Sequence, residues 1–248
     1  MKVLCVIPAR YASTRLPGKP LKDIHGLPMV CRVYERASQA KRVEKVIVAT
    51  DDERIKEAVE SHGGCAMMTA KDHPTGTDRL AEVAGFFRDL DLIINVQGDE
   101  PLIDPGLIDD LAAAFDEDEN LQMATVMTEM KDEAEQKNPN NVKVVTNLDG
   151  YALYFSRSLL PYPRKEGMAP VYKHIGIYAY RREFLLRYAK MEPTPLERSE
   201  SLEQLRALEN GSRIKVIKTD KRFVGVDTEE DLKLINEIYR KMEEEASL

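Results

Sequence analysis

Short apolar runs alternate along the chain with segments whose apolar residues recur at helical spacing. Residues 3–7, 45–50 and 92–96 have the composition of buried strands. Helical spacing follows these runs in the segments 28–39, 53–61, 77–88 and 105–115, and 65–68 reads as a further short strand. This alternation predicts an α/β fold: a three-layer arrangement of a mostly parallel, twisted sheet with helices on both faces.

The middle third of the chain changes to strand-like segments without intervening helices. Residues 142–146, 151–155 and 174–180 read as strands, and Asp149-Gly150 is a strong hairpin signal between the first two. We therefore predict a small antiparallel extension at 140–182, of a kind that often provides a dimer surface. A helix over 196–210, a strand over 214–218 and a final helix from Thr228 complete a predicted single domain, 1–248.

Composition and charge exclude several classes of function. The net charge of −7 argues against general nucleic-acid binding through a basic face. No apolar stretch approaches spanning length, so we expect no membrane insertion. The three cysteines show no ligand spacing and read as free thiols, which favours a cytoplasmic protein.

The loop after the first strand carries the strongest chemical signal. It lies where ligands bind in open α/β folds and places Arg10, Arg15 and Lys19 in one short segment, with Gly18 allowing close backbone approach. It has neither the dinucleotide G-x-G-x-x-G nor the P-loop pattern. Three cations beside exposed amides suit a triphosphate and the pyrophosphate that leaves it. A solvated basic loop is the alternative.

Two aspartates distant in the sequence both fall at element boundaries. Asp99 follows the strand at 92–96, and Asp227 precedes the last helix. Two carboxylates, together with phosphate oxygens and water, suit octahedral Mg²⁺. The competing interpretations are a turn role for Asp99 and a helix N-cap for Asp227.

The loop P-A-R-Y-A-S-T-R-L-P-G-K-P at 8–20 resembles the signature of the 3-deoxy-manno-octulosonate (Kdo) cytidylyltransferases, the CMP-Kdo synthetases. Further segments match the same family in order: D-H-P-T-G-T-D-R at 72–79, N-V-Q-G-D-E-P at 95–101, Y-A-L-Y-F-S-R at 151–157, H-I-G-I-Y at 174–178, L-E-Q-L-R at 202–206 and G-V-D-T at 225–228. The resemblance therefore covers nearly the whole chain.

The resemblance implies a nucleotidyl- or glycosyltransferase-like fold and a reaction that joins CTP to an eight-carbon sugar acid, releasing pyrophosphate, for lipopolysaccharide biosynthesis. It also implies a homodimer and assigns Mg²⁺ to Asp99 and Asp227, with Arg10, Arg15 and Lys19 completing the catalytic set. The nucleotide-binding positions that it implies are Pro8, Ala9, Arg10, Lys19, Lys71, His73, Thr75, Gly76, Arg79 and Gln97. The sugar-binding positions are Gln97, Arg157, His174, Tyr178, Glu203 and Gln204.

Several of these residues have simpler interpretations. Glu203 and Gln204, as neighbours on a helix, diverge by about 100° and could form an ordinary polar face. His174 and Tyr178 share one face of a strand, but a lone histidine is more often structural. Arg157 could bind the sugar carboxylate or pair with an acidic neighbour.

Three other functions remain open at this point. One is a nucleotidyltransferase for a sialic-type sugar or a sugar phosphate. Another is a glycosyltransferase, whose D-x-D signal is replaced here by Gln97-Gly98-Asp99. The last is a ligand-binding dimer without catalysis.

Overall fold

The computed structural model describes residues 1–12, 16–165, 167–221 and 223–246. The chain forms two compact units: unit 1 comprises residues 1–109 and 222–248, and unit 2 comprises residues 110–221. Unit 1 is thus built from two separate stretches of sequence. The prediction of one domain over 1–248 stays a prediction.

Unit 1 alternates strands with helices, as the apolar pattern predicts. Its elements are β1 (Val3–Ala9), a 3-10 helix (Lys19–Leu21), β2 (Asp23–Ile24), β3 (Leu27–Pro28), α1 (Met29–Ala37), β4 (Lys45–Thr50), α2 (Glu53–Ser61), β5 (Ala66–Met68), α3 (Gly76–Phe86), β6 (Leu92–Asn95), the first part of α4 (Pro105–Glu117) and α9 (Glu229–Ala246).

The main sheet of unit 1 is parallel, with β1 at its centre. The order is β5-β4-β1-β6, and Ala9 of β1 lies opposite Thr50 while Val6 lies opposite Asn95. Since the strands are parallel, their carboxyl ends share one edge, and the segments after β1, β4 and β6 meet there. This edge brings the first loop close to the segment that contains Asp99.

A smaller apolar cluster fixes the end of the chain onto unit 1. Val226 and Ile235 pack with Leu16, Ile24 and Met29, and all five are almost completely buried. Val226 directly precedes Asp227, so this cluster determines where that aspartate lies.

Unit 2 mixes parallel and antiparallel pairing. Strand β7 (Met123–Met130) pairs antiparallel with β10 (Val171–Arg181) and parallel with β11 (Ile214–Thr219). Strand β8 (Lys143–Thr146) pairs antiparallel with β9 (Ala152–Ser156) and with β10, which is the predicted antiparallel extension. The sequence prediction missed β7. The helices of unit 2 are α5 (Glu133–Lys137), α6 (Arg182–Tyr188), α7 (Pro195–Glu200) and α8 (Gln204–Glu209).

The prediction of one helix over 196–210 is wrong. Helix α7 ends at Glu200, Ser201 adopts a left-handed conformation with φ 52°, and α8 begins at Gln204. A bidentate ion pair between Glu197 of α7 and Arg206 of α8 joins the two short helices across the break. The break places Glu203 at the N-cap of α8 rather than inside a helix.

Within the described ranges, none of the helices combines the length and apolarity that a membrane crossing requires.

Candidate functional site

A cavity of about 370 Å³ opens in unit 1 at the carboxyl edge of the sheet. Its walls come from β1, from the first loop and from the segment after β6. The cavity brings together seven of the predicted residues: Pro8, Ala9, Arg10, Lys19, Gln97, Asp99 and Asp227. Arg15, which the sequence analysis placed in the same site, lies outside the described residues.

Asp99 and Asp227 converge on one positive charge. Lys19 Nζ donates to Asp99 Oδ2 at 2.6 Å and to Asp227 Oδ1 at 2.9 Å. The side chains of the two aspartates are 36% and 47% exposed, whereas that of Lys19 is 14% exposed. Burial alone would lower the pKa of Lys19, but the two carboxylates outweigh burial and raise it. This point of the cavity therefore favours a cation and stays open to a ligand.

Backbone contacts hold the two aspartates in place. The Val226 amide donates to the Asp99 carbonyl at 3.0 Å, which joins the two acidic segments directly. The N-cap of α9 is Thr228, whose hydroxyl accepts from the Asp231 amide at 3.2 Å while Asp231 Oδ2 accepts from the amides of Asp227 and Thr228. The N-cap interpretation of Asp227 is thus wrong, because its neighbour caps the helix and the Asp227 carboxylate faces Lys19.

The donor set suits Mg²⁺. Among the described residues, no three His, Cys, Asp or Glu side chains are grouped to hold a metal ion. Mg²⁺ is commonly bound by one or two carboxylates plus water and phosphate oxygens. Asp99 and Asp227, half-exposed and aimed at one point, match that pattern.

Gly98 lies where no side chain fits. A Cβ at this position would be 2.8 Å from the Pro8 carbonyl oxygen of β1, a backbone atom that cannot move without disturbing the sheet. The close approach lets Asp99 follow β6 directly into the cavity.

We expect Gly98→Ala to lower kcat/KM for CTP, the substrate that the family resemblance implies, by about 100-fold, the scale of a misplacement of about 1 Å at a reacting group. Steady-state kinetics with varied CTP measure it. The matched control is Gly85→Ala in α3, where an added Cβ meets nothing within 4 Å; that variant should retain full activity. Normal CTP kinetics for Gly98→Ala would contradict the close-packing argument.

Arg10 connects the first loop to the segment before α3. Its Nη2 donates to the His73 carbonyl at 2.5 Å and to the Thr75 carbonyl at 3.3 Å. Thr75 caps α3, with its hydroxyl accepting from the Asp78 amide at 3.2 Å. A guanidinium carries five N–H donors, so Arg10 keeps others for a ligand. The segment 73–75, which the resemblance assigns to the nucleotide, is therefore in contact with the first loop.

Other predicted nucleotide residues differ in accessibility. Lys71 and Gly76 are exposed, and His73 forms a short contact with Glu82. Arg79 is completely buried, with its guanidinium bonded to Thr69 and to Asp51 Oδ2 at 3.2 Å. Its charged group lies in the interior, where it links α3 to the end of β4. A direct contact between Arg79 and the nucleotide stays a prediction.

The predicted sugar residues His174 and Tyr178 lie together in unit 2. Ile175 of β10 pairs with Val126 of β7, and Tyr178 pairs with the neighbouring residue, Thr125. Strand β10 therefore carries two extra residues, a bulge, between these two pairs. Because the number of extra residues is even, the side chains of His174 and Tyr178 stay on one face of the strand. Their ring centroids are 5.4 Å apart. The Thr125 hydroxyl lies 3.0 Å from His174 Nε2 and 2.8 Å from the Ile177 carbonyl, which holds the bulge. Thr125 had no signal in the sequence.

His174 is uncharged at neutral pH. Desolvation in the interior of unit 2 lowers its pKa from 6.5 to about 3. Without a ligand the ring is therefore a neutral hydrogen-bonding group.

This shift makes stability depend on pH. Between pH 6.5 and about 3 the unfolded chain binds a proton at His174 that the folded protein does not, so stability falls as pH decreases through this window. We expect His174→Gln to reduce the slope of unfolding free energy against pH there by up to about 1.4 kcal/mol per pH unit. Urea unfolding at several pH values measures the slope. Identical slopes, or an imidazole NMR signal that titrates near pH 6.5, would contradict the assignment.

Arg157 serves mainly as a clamp between backbone segments. Its Nε donates to the Glu200 carbonyl at 2.7 Å, and its Nη1 donates to the Pro139 carbonyl at 3.1 Å. The Glu200 carboxylate accepts from the Arg157 amide at 2.9 Å and from the Ser156 hydroxyl at 2.6 Å. Of the two alternatives for Arg157, pairing of the guanidinium with an acidic side chain is replaced by bonds to the carbonyls of Pro139, Glu200 and Ser201. Binding of the sugar carboxylate stays a prediction.

Glu203 and Gln204 lie at that break. Gln204 is 5% exposed, and its Nε2 donor has no hydrogen-bond partner among the described residues. Unsatisfied buried donors are uncommon in folded proteins. The Gln204 amide shares this state with Arg79 Nε, Asn95 Oδ1 and Thr194 Oγ1, so the sugar contact of Gln204 stays a prediction.

The chain is similar to known cytidylyltransferases in both sequence and fold. The family model described as cytidylyltransferase matches residues 4–215. The chain is 54% identical to the 3-deoxy-manno-octulosonate cytidylyltransferase of Fusobacterium nucleatum over 95% of this chain and 96% of that protein. It is 56% identical to the enzyme of the same name from Geotalea daltonii, over 94% and 96% of the two chains.

The fold is similar to a solved structure of CMP:2-keto-3-deoxy-manno-octonic acid synthetase complexed with CTP. The TM-score is 0.94 and the identity 46%, over 98% of this chain and 100% of the other. A solved cytidylyltransferase from Leptospira borgpetersenii shares the fold at a TM-score of 0.65 and 20% identity, over 95% and 85% of the chains.

Proposed function

Since the chain belongs to the 3-deoxy-manno-octulosonate cytidylyltransferases within the cytidylyltransferase family, we propose that it transfers CMP from CTP to 3-deoxy-D-manno-octulosonate. The anomeric hydroxyl of the sugar acid attacks the α-phosphorus of CTP, and a new P–O bond forms while the bond from that phosphorus to the α,β-bridging oxygen breaks. Pyrophosphate leaves with the bridging oxygen, and the hydroxyl proton passes to solvent. The observation that carries this proposal is the meeting of Asp99, Asp227 and Lys19 beside the first loop.

The residues of unit 1 bind and orient the nucleotide. Arg10 and Lys19 neutralise the triphosphate, and Gly98 allows the backbone of β1 and the Asp99 segment to approach each other. Asp99 and Asp227 would hold Mg²⁺, which, when bound, offsets charge on the phosphates and lowers the pKa of a coordinated hydroxyl. Positioning and charge stabilisation supply most of the catalysis in phosphoryl transfer, so the chain needs no dedicated base.

The residues of unit 2 recognise the sugar acid. Neutral His174, Tyr178 and the unpartnered Gln204 amide supply hydrogen bonds of a kind that suits sugar hydroxyls. We further propose that the product serves lipopolysaccharide biosynthesis in the cytoplasm. The free thiols of Cys5, Cys31 and Cys65 support a reducing compartment.

A turnover assay tests the reaction. The protein is incubated with CTP or UTP, Mg²⁺ and a panel comprising 3-deoxy-manno-octulosonate, a variant altered at C8, a sialic acid and a sugar phosphate. Pyrophosphate release and product mass are measured. CMP-sugar from the first acid supports the proposal; preference for another sugar supports a different nucleotidyltransferase. CTP binding with no turnover on any substrate would support a ligand-binding protein.

We also propose a homodimer formed through the antiparallel extension at 140–182. Four large apolar side chains there are mostly exposed: Leu148 at 106%, Leu153 at 62%, Tyr162 at 85% and Met168 at 76%. A second copy would cover them, and exposed apolar patches commonly mark an interface. Sedimentation analysis of the protein and of a Tyr162→Ser/Met168→Ser variant distinguishes a dimer from a monomer.

A further inference from the structure

Tyr188, at the end of α6, contacts the segment that carries Glu203. The side chain is 1% exposed, and its hydroxyl donates to the Glu203 carbonyl at 2.6 Å. The same carbonyl accepts from the Arg206 amide at 3.0 Å. Neither the motifs nor the family resemblance singled out Tyr188.

The ring of Tyr188 also reaches the other predicted sugar residues. It stacks on Tyr180 with centroids 6.1 Å apart, and Tyr180 stacks on Tyr178 at 5.7 Å. Tyr178 in turn lies 5.4 Å from the ring of His174. Through Tyr180, the buried Tyr188 side chain therefore connects the bulge of β10 to the α7–α8 break.

We infer that Tyr188 is a positioning residue of the sugar-acid site, an inference that rests on the proposed function. Glu203 and Gln204 lie next to Ser201, whose left-handed backbone interrupts the helix. Because α8 begins only at Gln204, the direction of Glu203 depends on contacts from elsewhere in unit 2. The Tyr188 hydroxyl provides such a contact, directed at the Glu203 main chain.

An ordinary core tyrosine is the alternative. In that case the ring would matter for packing, and loss of the hydroxyl would lower stability without changing one substrate more than another. Burial keeps the pKa of Tyr188 well above its ordinary value of 10, so the hydroxyl stays a proton donor in both cases. Kinetics toward the two substrates separate the alternatives.

Tyr188→Phe keeps the ring and removes only the hydroxyl. We expect KM for 3-deoxy-manno-octulosonate to rise about 5- to 10-fold, the effect of one lost hydrogen bond, with KM for CTP within about twofold of the original protein. Isothermal titration of the sugar acid should show the same weakening. The matched control is Tyr239→Phe, since Tyr239 in unit 1 also donates to a backbone carbonyl, that of Pro101, at 2.6 Å.

The control should lose stability to a similar extent yet keep its KM for the sugar acid. An unchanged sugar KM in Tyr188→Phe, or parallel changes in kcat and both KM values, would overturn the positioning role while the proposed function stands. If the unaltered protein fails to turn over CTP and 3-deoxy-manno-octulosonate, the proposed function and this inference fall together.

Discussion

Replacing Asp99 by asparagine is expected to lower kcat by at least about 100-fold while the protein stays folded. The carboxylates of Asp99 and Asp227 face the same point, where Lys19 Nζ lies. Loss of one negative oxygen there removes several kcal/mol of charge stabilisation. Because Asp99 is 36% exposed, its ion pair with Lys19 contributes little to folding. The measurement is kcat over a range of Mg²⁺ concentrations, with circular dichroism as the check on folding.

Two further variants sharpen this test. Asp227→Asn should have a similar effect, and the double variant should lose little more, since residues that act as a unit are not additive. Asp89→Asn is the matched control, because Asp89 is 72% exposed in unit 1 and pairs only with Lys2 among its described contacts. Unaltered Mg²⁺ dependence in Asp99→Asn would remove that residue from the metal site.

Replacing Glu197 by glutamine is expected to lower the free energy of unfolding by about 3 kcal/mol, since it leaves a buried guanidinium without its counter-charge. Arg206 Nε and Nη2 donate to the two Glu197 oxygens at 2.8 and 2.5 Å, and both side chains are about nine-tenths buried. For a chain of this size the melting temperature should fall by about 6–12 °C. Circular dichroism in urea suits the measurement, because the chain has no tryptophan.

The control for this prediction is Glu133→Gln. Glu133 pairs with Lys137 one helical turn away, but the two side chains are 77% and 63% exposed. Its loss should change the unfolding free energy by no more than about 0.5 kcal/mol. Equal effects from Glu197→Gln and Glu133→Gln would mean that the buried pair does not hold α7 and α8 together.

The sequence predicted the parallel part of the fold well because its strands are uniformly apolar. Residues 3–7 and 45–50 became β1 and β4 with little change at their ends. Strand β7 was missed because Met123–Met130 mixes methionine, threonine and glutamate without clear alternation. The break at Ser201 was also unpredictable, since the surrounding residues favour helix and the contacts that stabilise the break come from distant parts of unit 2.

For the candidate site, motif resemblance identified the residues but not the direction of their side chains. The convergence of Asp99 and Asp227 was predicted, and the geometry agrees. By contrast, Arg79 has the same charge as Arg10, and only the packing of α3 decides that one is buried and the other lines the cavity. Thr125 and Tyr188 escaped notice because an isolated hydroxyl in a strand or helix carries no signal until its partner is known.

The split of unit 1 into two stretches of sequence has a consequence for protein synthesis. The ribosome delivers Asp99 before residues 110–221 and Asp227 after them, together with Val226 and Ile235. A nascent chain that stops inside unit 2 therefore lacks one of the paired carboxylates and part of the apolar cluster that seats it. We expect such truncated translation products to be unable to carry out nucleotide transfer, so that only chains synthesised beyond Asp227 become active.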